Sequence, residues 1–297
     1  MSDELYLVTG ATGKTGARTV EILREKGARV RALVHANDAR SQRLAGLGAE
    51  VVVADMLDFA SISSAMPGVS AAYFCYPIDP GRLLEATAIF AQAASEAGVR
   101  AVVNMSQISA RREAKSHAAQ QHWLGERLLD RTALITTHLK PTFFAEWLTT
   151  FSDRRNGEVV LRLPFADARH APIVAADQAR VIAAILTNPA PHDRQSYPLY
   201  GPVELDHYGI AEKMSATLGT PVRYEPIEIA SFADALLAQG RSPFLVQHLS
   251  NVAQDYRDGV FAGTNNLVEV ISGMPATTVE QFTAANRAVF EHDGSLH

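Results

Sequence analysis

The run Thr9-Gly10-Ala11-Thr12-Gly13-Lys14-Thr15-Gly16 sets its glycines at G-x-x-G-x-x-G spacing. It follows the apolar stretch Leu5-Tyr6-Leu7-Val8 and opens a helical pattern. In that setting glycines can serve a pyrophosphate. One allows a tight turn, one lets the backbone approach the ligand closely, and one allows close helix–strand packing. The helix behind them offers free N–H groups and the positive end of its dipole to phosphate. Gly10, Thr12, Gly13, Lys14, Thr15 and Gly16 are therefore the candidate cradle. The plain alternative is a glycine-rich turn without a ligand.

Other chemistry has little support in the residues. The ten histidines form no HExxH, and no Cys/His cluster has zinc spacing, so no metal site is expected. There is no G-x-S-x-G elbow, and GATGKTG is shorter than the G-x-x-x-x-G-K-[ST] phosphate loop. Cys75 has no neighbouring His, Lys or Arg in sequence, which makes a buried, inert thiol its default. Phe143, Phe144 and Trp147 can wall an aromatic pocket or belong to the core.

The elements that must position these residues alternate. Strands are expected at 5–8, 29–34, 50–54, 71–75, 101–105 and 134–139. Helices are expected at 14–26, 38–47, 58–66, 80–97 and 118–129. Such alternation means right-handed βαβ units and a parallel sheet covered on both faces. The pattern loosens beyond about residue 150. Segment 156–172 reads as loops and short strands, 177–186 as helix, 188–194 as a polar link and 197–200 as strand. Helix at 206–218, strand at 222–227 and mostly helical pieces at 231–240, 243–262 and 277–291 follow. This divides the chain into a domain over 1–152 and a smaller lid over 153–297, woven back onto the sheet, with the substrate cleft between them.

With 297 residues, a formal charge of −5 and 47% hydrophobic residues, the chain is an ordinary globular protein and not a disordered or collagen-like one. Its mild acidity argues against a nucleic-acid partner. One cysteine permits no internal disulfide and fits a reducing cytoplasm. The start Met1-Ser2-Asp3-Glu4 is acidic where a signal peptide would be basic. No apolar run is long enough to span a bilayer. A cytoplasmic protein is expected, with a homodimer possible.

Several segments together resemble a known family. GATGKTG at Gly10–Gly16 resembles the atypical short-chain dehydrogenase/reductases, and within them the NmrA-like proteins. Val53-Ala54-Asp55-Met56-Leu57-Asp58 is similar to the G-D-x-x-D segment of that group, with Ala54 for glycine. His122-Trp123-Leu124-Gly125-Glu126-Arg127-Leu128-Leu129 resembles its H-x-x-x-E-x-x-L helix. Leu139-Lys140-Pro141-Thr142-Phe143-Phe144 resembles L-R-P-x-x-F, and Ile173–Ala179, Tyr200-Gly201-Pro202 and Leu218-Gly219 match later segments. The resemblance implies a Rossmann-type doubly wound parallel sheet with a smaller C-terminal α/β subdomain, and a bound nicotinamide dinucleotide. It puts Asp55 near the adenine, although Asp55 can equally cap the helix that starts near Asp58, with Met56 and Cys75 along the cofactor and Ser106 and Pro141 beside the nicotinamide.

The second strand ends Leu33-Val34-His35, without the acid that usually binds NAD ribose. Asp38 lies beyond that strand end and reads as the N-cap of the next helix. The resemblance places His35 where an arginine commonly contacts a 2′-phosphate, and Lys14 and Arg40 or Arg43 can supply fixed charge. NADP(H) is favoured, and NAD(H) is possible. The Tyr-x-x-x-Lys pair of most such reductases is missing, and alignment on Glu126 leaves His122 at the lysine position and Ala118 at the tyrosine position. His122 can bind ribose or donate a proton. Ser106 and Tyr76 complete the candidate catalytic set. The expected function is hydride transfer to a small quinone-like, aromatic or conjugated acceptor. The alternative is a redox sensor that binds NAD(P) and a regulator protein without turnover.

Overall fold

Leu5–Val8 and Ala101–Met105 are buried along their whole length, which is the mark of strands covered on both faces. A computed structural model describes residues 4–78, 81–155 and 157–291. The acidic start Met1–Asp3, the expected helix start at Pro80 and the first residue of the 156–172 segment lie outside them. The elements run β1 (Leu5–Val8), α1 (Lys14–Glu25), β2 (Arg29–Val34), α2 (Ala39–Gly46), β3 (Glu50–Val53), α3 (Phe59–Ala65), β4 (Val69–Phe74) and α4 (Leu83–Glu96). Then come β5 (Ala101–Met105), α5 (His117–Leu129), β6 (Ile135–Pro141), α6 (Glu146–Thr150), β7 (Ser152–Arg155), β8 (Glu158–Leu163), α7 (Ala175–Thr187) and β9 (Gln195–Leu199). The chain continues through α8 (His207–Leu218), β10 (Val222–Pro226), α9 (Ile229–Ala238) and α10 (Pro243–Arg257), with three short helices after it.

The chain forms two compact units. The first contains Met1–Ala114, Ala118–Lys140 and Gln178–Tyr197, and the second contains the remainder. In the first, a seven-stranded sheet has the order β3-β2-β1-β4-β5-β6-β9. The β1–β2, β2–β3, β1–β4, β4–β5 and β5–β6 pairs are all parallel. This is the doubly wound arrangement. The chain starts in the middle of the sheet, builds outward to β3, then returns past β1 to continue from β4. The strand order thus reverses between β1 and β4, where such sheets bind ligands beyond the carboxyl ends of their strands.

Local chemistry explains the helices. α1 buries Val20, Ile22 and Leu23, each worth roughly 1.5–3 kcal/mol. Asp38 caps α2 in a capping box with Ser41, as the sequence suggests. Asp58 caps α3. α4 buries Ala86, Ala91, Ala93 and Ala94, and its Phe90 ring sits 4.6 Å from Phe74 of β4.

The second unit has its own sheet of order β10-β8-β7. Here β7 and β8 are antiparallel, while β10 runs parallel to β8. Among the described residues no helix is long and apolar enough to cross a membrane.

Candidate functional site

Because the first unit's strands are parallel, the residues that follow β1 to β6 all reach the same sheet edge. At the switch point the Thr9 side chain fastens β1 to β4. Its Oγ1 donates to the Cys75 carbonyl at 2.9 Å and accepts from the Cys75 N–H at 2.8 Å. Gly10 then takes φ +58°, a left-handed conformation that disfavours other residues. The Gly13 N–H donates to the Gly10 carbonyl at 2.9 Å and closes the turn. A Cβ at Gly16 would lie 2.2 Å from the Gly10 oxygen, so the helix meets the strand only because that side chain is absent. Gly13 is the N-cap of α1 and provides no side-chain cap. The first N–H groups of α1 thus receive no side-chain oxygen from the cap residue and suit an anionic ligand. Lys14 is exposed on this turn, Thr12 is half-buried, and Thr15 is buried.

The other candidates follow the remaining strands. His35 is exposed just past β2. Arg40 turns back onto the cap, its Nη2 lying 2.7 Å from Asp38 Oδ2. Asp55 accepts from the Leu57 N–H at 2.9 Å, and its own N–H donates to Ser61 Oγ at 3.0 Å. The Asp55 carboxylate therefore shapes the turn that carries Met56. Burial pushes the Cys75 thiol pKa up, in keeping with an inert thiol. Burial likewise raises the Tyr76 phenol, with a smaller opposing pull from Arg82. Pro141 closes β6.

Ser106 sits at the tip of a buried network. Its Oγ donates to Glu126 Oε1 at 2.5 Å, and Lys140 Nζ lies 3.0 Å from the same oxygen. Glu126 is 1% exposed, so this carboxylate is answered by a cation in the interior. The Ser106 proton is committed to Glu126, which leaves the hydroxyl its lone pairs and makes it an acceptor towards any ligand. Nearby, Asn104 Nδ2 donates to His138 Nδ1 at 3.1 Å, so His138 donates from Nε2 to Asp130 Oδ1 at 3.0 Å. Burial outweighs the pull of Asp130 and lowers the His138 pKa. His122 is buried on α5.

Sequence reasoning used Glu126 and Lys140 only as motif anchors and did not see Asn104, Asp130 or His138. A glutamate between the apolar positions of α5 was the available signal. Glu126→Gln leaves Lys140 without its counter-charge and is expected to cost roughly 3 kcal/mol in urea unfolding. Adding Lys140→Met should recover most of that loss, because the two effects couple through one contact.

The sequence matches the NmrA-like family over residues 2–261. The chain belongs to the NmrA-like family. It is 28% identical over 290 residues to an NAD(P)H azoreductase of Xenophilus azovorans, covering 96% of this chain and 99% of that protein. It is 27% identical to quinone oxidoreductase 2 of Escherichia coli (strain K12), over 93% of this chain and 96% of the relative. Its fold matches the crystal structure of the Escherichia coli NADPH-dependent quinone oxidoreductase QOR2 complexed with NADPH. That match has a TM-score of 0.82 at 24% identity, over 94% of this chain and 99% of the other.

In the second unit of this NmrA-like chain, Phe143 belongs to the core and not to an open pocket wall. It is 4% exposed, with its ring 4.9 Å from His170 and 5.4 Å from His207. Phe165, Tyr224, Tyr256 and Phe261 extend the same aromatic packing. His170 and His207 are fully buried there, and none of their ring nitrogens has a partner among the described residues. Trp147 stacks on Phe151 at 5.2 Å and is 38% exposed.

Proposed function

We propose that this chain is an NAD(P)H-dependent reductase that delivers hydride to a small quinone-like or otherwise conjugated acceptor. The observation that carries the reading is the glycine loop at the β1–β4 reversal, where Gly16 has no room for a Cβ and Gly13 provides no side-chain cap. The names of the azoreductase and quinone-oxidoreductase relatives support it. The N–H groups of residues 14–16 bind the pyrophosphate, and Thr12 and Thr15 flank it. His35 and Lys14 meet a 2′-phosphate, which favours NADP(H) over NAD(H). Arg40 joins them on leaving Asp38. Asp55 and Met56 border the adenine, while Cys75 and Pro141 border the rest of the dinucleotide.

When bound, the nicotinamide supplies the hydride. The chain's own residues handle position and protons. Ser106 accepts a hydrogen bond from the cofactor or substrate, because its proton is held by Glu126. Tyr76 packs beside the acceptor, and its raised pKa makes it a poor acid there. His122, or water, supplies the proton that the reduced acceptor takes up. The single free cysteine fits a cytoplasmic enzyme.

Loss of nicotinamide absorbance, with NADPH and NADH in parallel against quinones and azo compounds, tests the reading. Turnover is expected, faster with NADPH. Tight NADP(H) binding with no turnover would leave a dinucleotide-binding regulator instead. His122→Ala is expected to lower kcat by about 100-fold with little change in NADPH affinity. Equal loss in both would reduce His122 to a binding role.

A further inference from the structure

Beside the Glu126–Lys140 pair, the first unit carries an open cleft of about 530 Å³. That is the size of a small-ligand site. The glycine loop, His35 and Asp55 do not line it. Its walls come from the segment after β5, the C-terminal half of α5, and strands β6 and β9.

The charges on those walls do not balance. Arg111, Arg112, Arg127, Lys140 and Arg194 face Glu113, Glu126 and Asp130, a surplus of two positive charges. The two inner carboxylates are already answered. Lys140 lies 3.0 Å from Glu126, and Arg127 Nη2 lies 2.9 Å from Asp130. Arg194 spends its guanidinium on the Asp130 and Thr132 carbonyls, both at 2.8 Å. Arg111 donates to the Ser109 carbonyl at 3.1 Å. Arg112 is exposed and makes no hydrogen bond or ion pair among the described residues. A guanidinium in that state is a fork of donors suited to a planar or tetrahedral oxyanion. Glu113 is the acid beside it, and the ligand must approach from the Arg112 side. The half-buried Trp123 ring lines the same cleft and offers a flat apolar surface.

We propose that this cleft is a second ligand site, separate from the glycine loop, for a small aromatic anion. The ring packs on Trp123, and a sulfonate, phosphate or carboxylate group meets Arg112. The proposal does not depend on the reductase reading.

The test uses the full chain and two probes of similar shape, naphthalene-2-sulfonate and the uncharged naphthalene-2-methanol. Binding is read from ¹H–¹⁵N spectra at the Trp123 indole N–H. The chain has two tryptophans, and Trp147→Phe assigns the signal. The sulfonate should shift Trp123 and bind about tenfold more tightly than the alcohol, an advantage that weakens as salt rises. Arg112→Gln should raise its Kd about fivefold and leave the rest of the spectrum in place. Saturating NADP⁺ should not displace it. Equal affinity for both probes, a silent Trp123, an undiminished Arg112→Gln variant or displacement by NADP⁺ would each overturn the proposal.

Discussion

Gly13→Val is expected to raise the Kd for NADPH at least 100-fold, roughly 2.7 kcal/mol, while unfolding free energy changes by under about 1 kcal/mol. Gly16→Ala should damage both. The difference lies in what each new Cβ meets. At Gly13 the nearest atom is the Gly10 oxygen at 3.2 Å, and the position is exposed, so the fold gives by a few tenths of an ångström. The added side chain then stands where a phosphate would approach the first N–H groups of α1. At Gly16 the Cβ would lie 2.2 Å from the same oxygen and 2.8 Å from its carbon. Both are backbone atoms, so no side-chain rotation relieves the clash. The first turn of α1 must move off β1, at a cost on the order of 3 kcal/mol. NADPH titration by fluorescence and urea unfolding of both variants separate the two roles. NADPH binding unchanged in Gly13→Val would sink the assignment of this loop to the dinucleotide.

The contrast between those glycines marks what a sequence can and cannot disclose. Spacing and context were enough to find the loop, since strand, glycines and helix are contiguous in the chain. The first six strands were legible for the same reason. Each is a short apolar run, and the structure places β1, β2 and β5 at the expected residues. The pairing of β10 with β8 was not legible, because its partner lies far away in sequence and nothing local encodes it. The Ser106–Glu126–Lys140 network escaped for another reason. Charged residues in a pattern read as surface, and the interior Glu126 of α5 is met by Lys140 of β6 and by Ser106 just past β5. Arg40 sits at a spacing suited to a phosphate, yet its nearest anion is Asp38, two residues away.

Acid should destabilise the protein well before its carboxylates titrate, and the histidines of the second unit explain why. Hydropathy counts His170 and His207 as polar, but both are fully buried among Phe143, Phe165, Tyr224 and Tyr256. Burial pushes His207 down to about 3 and His170 well below the ordinary imidazole value, and His170 is lowered further by the neighbouring His207. His248, bound to Ser116 Oγ at 2.8 Å, is pushed by burial to about 4. In the unfolded chain all three return to about 6.5. The unfolded state thus binds more protons below that value. Stability is full above pH 6.5 and falls as pH drops from 6.5 towards 4. At pH 5, His207 and His248 together should remove on the order of 4 kcal/mol, a large share of the roughly 5–15 kcal/mol that holds a typical domain. Urea unfolding at pH 7.5, 6 and 5 measures the slope. His207→Phe should reduce it by about one proton, and at pH 7.5 should be neutral or stabilising, because it removes an unpartnered buried polar group from an aromatic site that accepts a ring. An unfolding free energy that does not change between pH 7.5 and 5 would mean that these rings are not held neutral in the core. A slope unchanged by His207→Phe would place the proton uptake at other residues.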